Sequence, residues 1–474
     1  MRRRTKIICT IGPASNDFDT LNAMYEAGMN VARINMSHAT HEDAARTIGW
    51  IKTLNRKTKY PVPVLIDTQG PEIRTAKRDH PLVLRKGTEV VLIPELSDYH
   101  GPVTSRLEVQ FEGLKGAVSA DDTIVLDNGL INLKVSNQDP AAIRCVVLDD
   151  GVIGSRKHIN IPGVHINLPS ITSKDRDDVK FGLELDVDFI AQSFVRSHED
   201  VAKMRELLNN RNHGVHVVAK IENREGATNI ESIAETADGL MVARGDLGIE
   251  TDIATLPNLQ RQLVRSSFKS GRRCIVATHL LESMVEHPIP TRAEVTDVAN
   301  AVFDGSDAIM LSGETSIGKF PIEAVKIMVN TSKEAEAALP YHKMMEERFL
   351  QLESKTDDAI SYAACQTSNL LGSKFIIAFT ESGNSAGRVS RYRPESRILA
   401  LTPWEEVCRV LTLRWGVYPV IVDSPTDVDD FFTVGEKEAR KFMGEDKKGT
   451  VVLVAGTPIG VPGSTNMLRV LQLG

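Results

Sequence analysis

The chain has 474 residues, 42% hydrophobic and 25% charged, with a formal net charge of −7. That length predicts two to four globular domains, and the acidic balance excludes a sequence-wide nucleic-acid surface. With no apolar run near the ~20 residues of a membrane helix, no membrane association is expected.

Arg2-Arg3-Arg4 is the one basic run, and it leads straight into a short strand, not into an apolar signal core. Five cysteines, odd in number, far apart and without a CxxC pair, fit reduced thiols in a cytoplasmic protein. From Lys6 to Asp67 the pattern reads strand, helix, strand, helix, strand, with strands at Lys6 to Ile11, Asn30 to Ile34 and Pro63 to Ile66. From Pro71 to Pro169 short alternating runs, such as Glu89 to Ile93, Thr123 to Leu126, Ile131 to Val135 and Arg144 to Leu148, sit between Gly, Asp, Asn and Pro turns. Five apolar strand patterns then follow, at Phe189 to Ala191, Val217 to Ala219, Leu240 to Val242, Ile275 to Ala277 and Ala308 to Met310.

Three early and five later strands with helices between them predict an α/β chain built on a closed (β/α)8 TIM barrel. The barrel is expected over residues 1–70 and 170–338. An inserted all-β lid is expected over 71–169, leaving the barrel at a strand's carboxyl end. A C-terminal α/β domain is expected over 339–474, with strands at Lys374 to Phe379, Arg397 to Leu401, Val417 to Val422, Val451 to Val454 and Met467 to Leu473.

Candidate chemistry gathers at the carboxyl ends of the barrel strands, where such folds place their sites. Lys220 and Glu222 are two apart, so they share one strand face, and Asp246 of Ala243-Arg244-Gly245-Asp246 arrives from the next strand. A lysine with two carboxylates suits a divalent metal, an anionic substrate and a developing negative charge. Arg33, Asn35 and Ser37 alternate along the second strand's end, an arginine for phosphate and two oxygens for a hard cation. Asp67 and the Thr68 carbonyl extend that oxygen set, and Thr278 adds a hydroxyl at the same rim. The run Gly313 to Lys319 imitates a P-loop, but Phe320 stands where the magnesium-binding hydroxyl belongs. In the last domain, Thr380 to Ala386 runs from strand to helix. Its amides and hydroxyls suit a phosphate, while plain N-capping by Ser382 or Ser385 is equally compatible.

Several of these segments occur together in one family. Lys6 to Pro13, Arg33 to His38, Asp67 to Arg74, Lys220 to Asn223, Val242 to Gly248, Thr291-Arg292-Ala293-Glu294 and Met310 to Thr315 stand in an order that resembles the pyruvate kinase family over essentially the whole chain. The resemblance implies transfer of the phosphoryl group of phosphoenolpyruvate to ADP, giving pyruvate and ATP. It implies Glu222 and Asp246 as ligands of magnesium or manganese, and Asn35, Ser37, Asp67 and Thr68 as a potassium site. Lys220, Thr278 and Arg33 would be catalytic; Arg33, Lys220, Gly245, Asp246 and Thr278 would bind substrate. Asn35, Met36, Ser37, His38, Arg74 and Lys157 would contact nucleotide. Thr380, Ser382, Gly383, Asn384 and Ser385 would form a sugar-phosphate effector loop, with the Gly456 to Asn466 loop as its other wall, in a homotetramer.

Four positions mark this chain out within that pattern. His279-Leu280 replaces Gln-Met, His158 replaces a glycine after Lys157, and Gln69 stands where lysine is common. Glu72 matches the potassium-requiring branch. A barrel aldolase that forms an enolate would share the lysine, metal and carboxylates but has no use for a nucleotide-closing lid. A catalytically idle sugar-phosphate sensor has no use for Lys220, Glu222 and Asp246.

Overall fold

The computed structural model describes residues 3–474 apart from 95–98, 100–104, 112, 140–141, 165, 167, 209–213, 352–354, 444–447 and 458–464. Eight strands close into a barrel: β1 (Lys6–Ile11), β2 (Val31–Asn35), β3 (Val64–Asp67), β4 (Phe189–Gln192), β5 (His216–Ile221), β6 (Gly239–Ala243), β7 (Arg273–Ala277) and β8 (Ala308–Leu311). Each pairs in parallel with its sequence neighbours, and β8 returns to β1. Both strand faces are covered, which is why these segments read as near-continuous apolar runs and not as alternating ones.

The inward residues Ile8, Val31, Leu65, Phe189, Val218, Met241, Ile275, Ala308 and Met310 form one buried cluster, and Val410 and Leu413 from the C-terminal part of the chain join it. The amino-terminal floor is therefore stoppered by the segment around helix Glu405–Leu411, while the opposite mouth stays available.

Carboxylates one residue ahead of β4, β6 and β8 set the floor. Asp188 accepts Val64 N at 2.8 Å, Asp238 accepts Val217 N at 2.9 Å, and Asp307 accepts Cys274 N at 3.0 Å. Each also holds an arginine: Arg409 on Asp188, Arg205 on Asp238 and Arg393 on Asp307. Thr291-Arg292-Ala293-Glu294 proves to be a helix start. The Thr291 hydroxyl accepts Glu294 N and the Glu294 carboxylate accepts Thr291 N, a reciprocal capping box.

Between β3 and β4 the chain builds a seven-stranded sheet and a separate two-stranded one around their own apolar core. The exit is fixed by Gly70, whose φ is +73° and where a Cβ would lie 2.8 Å from Ser193. Its N–H donates to Asp175 at 3.0 Å. After the barrel, five strands form a second sheet in the order β11-β10-β9-β12-β13. These are β9 (Phe375–Phe379), β10 (Arg397–Thr402), β11 (Val417–Ile421), β12 (Gly449–Gly456) and β13 (Thr465–Leu473), with only β13 antiparallel. All five cysteines are buried and free. No helix among the described residues is long and apolar enough to cross a membrane.

Candidate active site

Four consecutive strand ends converge at the mouth. Lys220 on β5 is buried, and its Nζ stands 3.0 Å from Asp67 Oδ1 on β3, 3.0 Å from Glu222 Oε1, and donates to Ser193 Oγ at 2.6 Å. Arg33 on β2 grips the other side of Asp67, with Nε and Nη2 each 2.7 Å from Oδ2, and its Nη1 donates to Thr10 Oγ1 at 2.8 Å. Burial would favour a neutral amine at Lys220. Asp67 and then Glu222 overcome it, so the ammonium is held above its ordinary pKa. Burial likewise opposes ionisation of Asp67, but Lys220 and Arg33 outweigh it and hold the carboxyl below the usual range.

Glu222 responds in the opposite sense. Burial raises its pKa, Lys220 opposes that, and the neighbouring charge of Asp246 adds to the rise. The hard carboxylate oxygens of Glu222 and Asp246 suit magnesium or manganese. Among the described residues no group of three His, Cys, Asp or Glu forms a ready metal cage.

Asp246 lies in the first turn of helix Arg244–Glu250, directly after β6. Gly245 N donates to Thr278 Oγ1 at 2.8 Å, and the Thr278 hydroxyl donates to Ala277 O at 2.6 Å. Thr278 and His279 both have left-handed backbones, φ +68° and +54°, and Phe194 after β4 has φ +54°. Such conformations cost of order 1–3 kcal/mol each and persist only where the surroundings enforce them. At Thr278 the enforcer is Arg244, whose Nη2 donates to Thr278 O at 2.6 Å while its Nη1 is 2.7 Å from Asp297.

The sequence alone assigns no role to Arg244, Ser193 or Phe194. Ser193 and Phe194 follow an apolar strand just as Glu222 does, and that shared position was their only signal. Phe194 N donates to Glu222 Oε2 at 2.7 Å, and Ser193 Oγ donates to Thr68 O at 2.6 Å.

Around the second strand's end, Asn35 and Ser37 are half-buried, and Asn35 Oδ1 accepts Ser37 N at 3.1 Å. Met36 departs from expectation: its side chain is fully buried in the core, because the chain turns back there and Met36 N bonds Asp67 O. Its carbonyl accepts Lys174 Nζ at 2.7 Å, so its backbone is occupied as well. His38 is exposed at the surface, yet desolvation of its ring and then Arg74 depress its pKa. Arg74 is 2.5 Å from Glu72, so that acid is paired within the insertion's entry. Lys157 is not brought to the Lys220 cluster. Its Nζ lies 3.0 Å from Asp127 within the insertion, a nearer and more exposed acid.

In the C-terminal domain, helix Asn384–Arg391 starts at Gly383, φ +86°, without any side-chain cap. Neither Ser382 nor Ser385 caps it; Ser385 Oγ is 2.8 Å from Thr465 Oγ1 instead. Thr380 is buried at the end of β9, Ser382 is half-buried and Asn384 exposed. Most of the Gly456 to Asn466 loop lies outside the described residues.

Two family models match the chain: "Pyruvate kinase, barrel domain" over residues 2–325 and "Pyruvate kinase, alpha/beta domain" over residues 358–471. The pyruvate kinase of Staphylococcus epidermidis (strain ATCC 35984) is 42% identical over 475 aligned residues, spanning 100% of this chain and 81% of that protein. The pyruvate kinase of Staphylococcus haemolyticus is 43% identical over 476, and that of Staphylococcus aureus (strain MRSA252) 42% over 475, with the same coverage.

Proposed function

This chain belongs to the pyruvate kinase family and is a glycolytic phosphotransferase of that kind, and we propose from that premise which of its own residues carry phosphoryl transfer from phosphoenolpyruvate to ADP. The observation that supports the reading most is the position of Lys220, an obligate cation flanked at 3.0 Å by Asp67 and Glu222 and backed by Arg33.

Phosphoryl transfer asks little covalent work of a protein and much positioning and charge neutralisation. Arg33, oriented by Asp67 and Thr10, would hold the phosphate of phosphoenolpyruvate. The Lys220 ammonium would donate to the transferring phosphoryl and then to the enolate oxygen left when the phosphorus–oxygen bond breaks. Glu222 and Asp246 would hold magnesium or manganese, which supplies charge neutralisation at the phosphoryl and enolate oxygens. Asn35, Ser37, Asp67 and Thr68 would hold potassium. Gly245 and Thr278 would line the substrate. The Thr278 hydroxyl donates to Ala277 O, so it would have to turn to pass a proton, through water, to the enolate carbon and complete pyruvate. Arg74, His38, Asn35 and Ser37 would meet the nucleotide, with buried Met36 shaping the turn that presents them and Lys157 reaching it only by leaving Asp127.

The test is formation of pyruvate and ATP from phosphoenolpyruvate and ADP, with magnesium and either potassium or tetramethylammonium. Turnover that needs potassium is the expected result, and equal turnover in both salts rejects the potassium site. The uncapped helix start at Gly383 supports an effector loop at Thr380, Ser382, Gly383, Asn384 and Ser385 for a sugar phosphate, acting through a homotetramer. Replacing both Ser382 and Ser385 by Ala should leave basal turnover and remove activation.

A further inference from the structure

Strand His158–Asn160 of the insertion lies beside helix Arg244–Glu250, the helix that carries Asp246. His158 Nδ1 is 3.5 Å from Asp246 Oδ1, and Asn160 Nδ2 donates to Glu250 Oε1 at 3.4 Å. The spacings match. Two residues along a strand advance about 6.6 Å, and four along a helix advance about 6.0 Å. One face of the strand therefore meets one face of the helix at two successive polar points. The imidazole is nearly buried, with 11% of its side chain exposed against 29% for Asp246. It stands edge-on to Phe194, ring centroids 6.0 Å apart. Phe194 is the residue whose N–H orients Glu222. His158 thus bears directly on one carboxylate of the proposed metal pair and, through Phe194, on the other. Across the sheet its backbone stands opposite Arg74 of the neighbouring antiparallel strand Ile73–Arg74.

We propose that His158 is a positioning residue that fastens the lid to Asp246, so that lid docking and divalent-cation binding at Glu222 and Asp246 are energetically coupled. The inference rests on the metal reading of those two carboxylates. Drawn in from 3.5 Å to hydrogen-bond distance, His158 Nδ1–H would donate to Asp246 Oδ1, fix that carboxylate's rotation, leave Oδ2 for the cation and tie the strand to the helix. Partners of this kind tune metal affinity about 10–100-fold. Because coupling is reciprocal, a cation that favours the oriented carboxylate also favours the docked strand.

The experiment measures manganese binding without substrate, by the electron paramagnetic resonance signal of free Mn(II). Amide hydrogen exchange of His158–Asn160 and Arg244–Glu250 is followed with and without the metal. His158→Ala should bind Mn(II) about 10-fold more weakly and lose the metal-dependent protection of the strand. His158→Asn, which keeps a donor, should restore both in part. Asn160→Ala should speed exchange of the strand and, through the same coupling, weaken Mn(II) binding by less than His158→Ala does.

Asp246→Asn is the control. If the unaltered protein binds no Mn(II), or binds it as well after that substitution, the metal reading fails and the coupling falls with it. If the control loses binding while His158→Ala keeps full Mn(II) affinity, or keeps metal-dependent protection, the coupling alone is overturned. A His158→Asn variant indistinguishable from His158→Ala overturns the assignment of a donor to that contact.

Discussion

At the barrel mouth, Asp67 and Glu222 share Lys220 at 3.0 Å while Asp246 stays partly exposed; at the floor, Asp188, Asp238 and Asp307 each take a strand N–H and an arginine. Both ends bury carboxylates beside cations, so burial and pairing do not separate function from scaffold. Completeness does. The floor acids are satisfied within the chain: Asp307 accepts Cys274 N, Trp415 N and Arg393. At the mouth, burial raises Glu222 against the pull of Lys220 and the charge of Asp246 adds to the rise, leaving a carboxylate that an external cation would relieve.

The comparison breaks first at Asp307. Asp307→Ala should cost about 3–5 kcal/mol, the penalty of stranding a buried partner, since Arg393 and two N–H groups lose their acceptor. Urea unfolding measures it, and turnover per folded molecule should hold. An Asp307→Ala protein of ordinary stability would show that the floor contacts are ornamental.

Lys6, the first residue of β1, sharpens the same contrast. Burial, with Arg3 adding to it, drives its pKa down to about 7, and its Nζ donates to Val417 O at 2.6 Å. The unfolded chain keeps that proton up to about 10.5. Between those values the unfolded state binds more protons, so stability rises with pH across the window and the full penalty applies below it. Lys6→Met should flatten that slope and add about 2–3 kcal/mol near pH 7, read as the unfolding midpoint against pH. An unchanged slope would refute it.

A smaller effect belongs to the mouth, where strain is retained. His279→Gly at φ +54° should stabilise by about 1 kcal/mol while lowering turnover, because the loop presenting Thr278 is freed. Thermal midpoint and kcat, measured together, check it; a midpoint that falls would deny the strain.

Much of this contrast was legible in the sequence, and the gaps have physical causes. The barrel could be read because fully covered parallel strands leave uninterrupted apolar runs, and Lys220 with Glu222 because period two puts them on one face. The floor acids Asp188, Asp238 and Asp307 were not seen, since an aspartate before a strand looks like any turn residue until its partner strand is known. Arg244 escaped for the same reason, its acceptors Thr278 O and Asp297 being 34 and 53 residues away. Lys157 was placed at the nucleotide by family resemblance alone, and only the fold shows that Asp127 holds it here. Met36 was carried along by its neighbours, and only the turn after β2 reveals that its side chain faces inward.

The most direct measurement is steady-state formation of pyruvate from phosphoenolpyruvate and ADP by Lys220→Met, with magnesium and potassium saturating and folding checked by circular dichroism. With Arg33, Glu222 and Asp246 intact, kcat should fall by about 10²–10³-fold or more. A folded Lys220→Met protein that turns over at the unaltered rate would contradict the assignment of phosphoryl and enolate stabilisation to that ammonium.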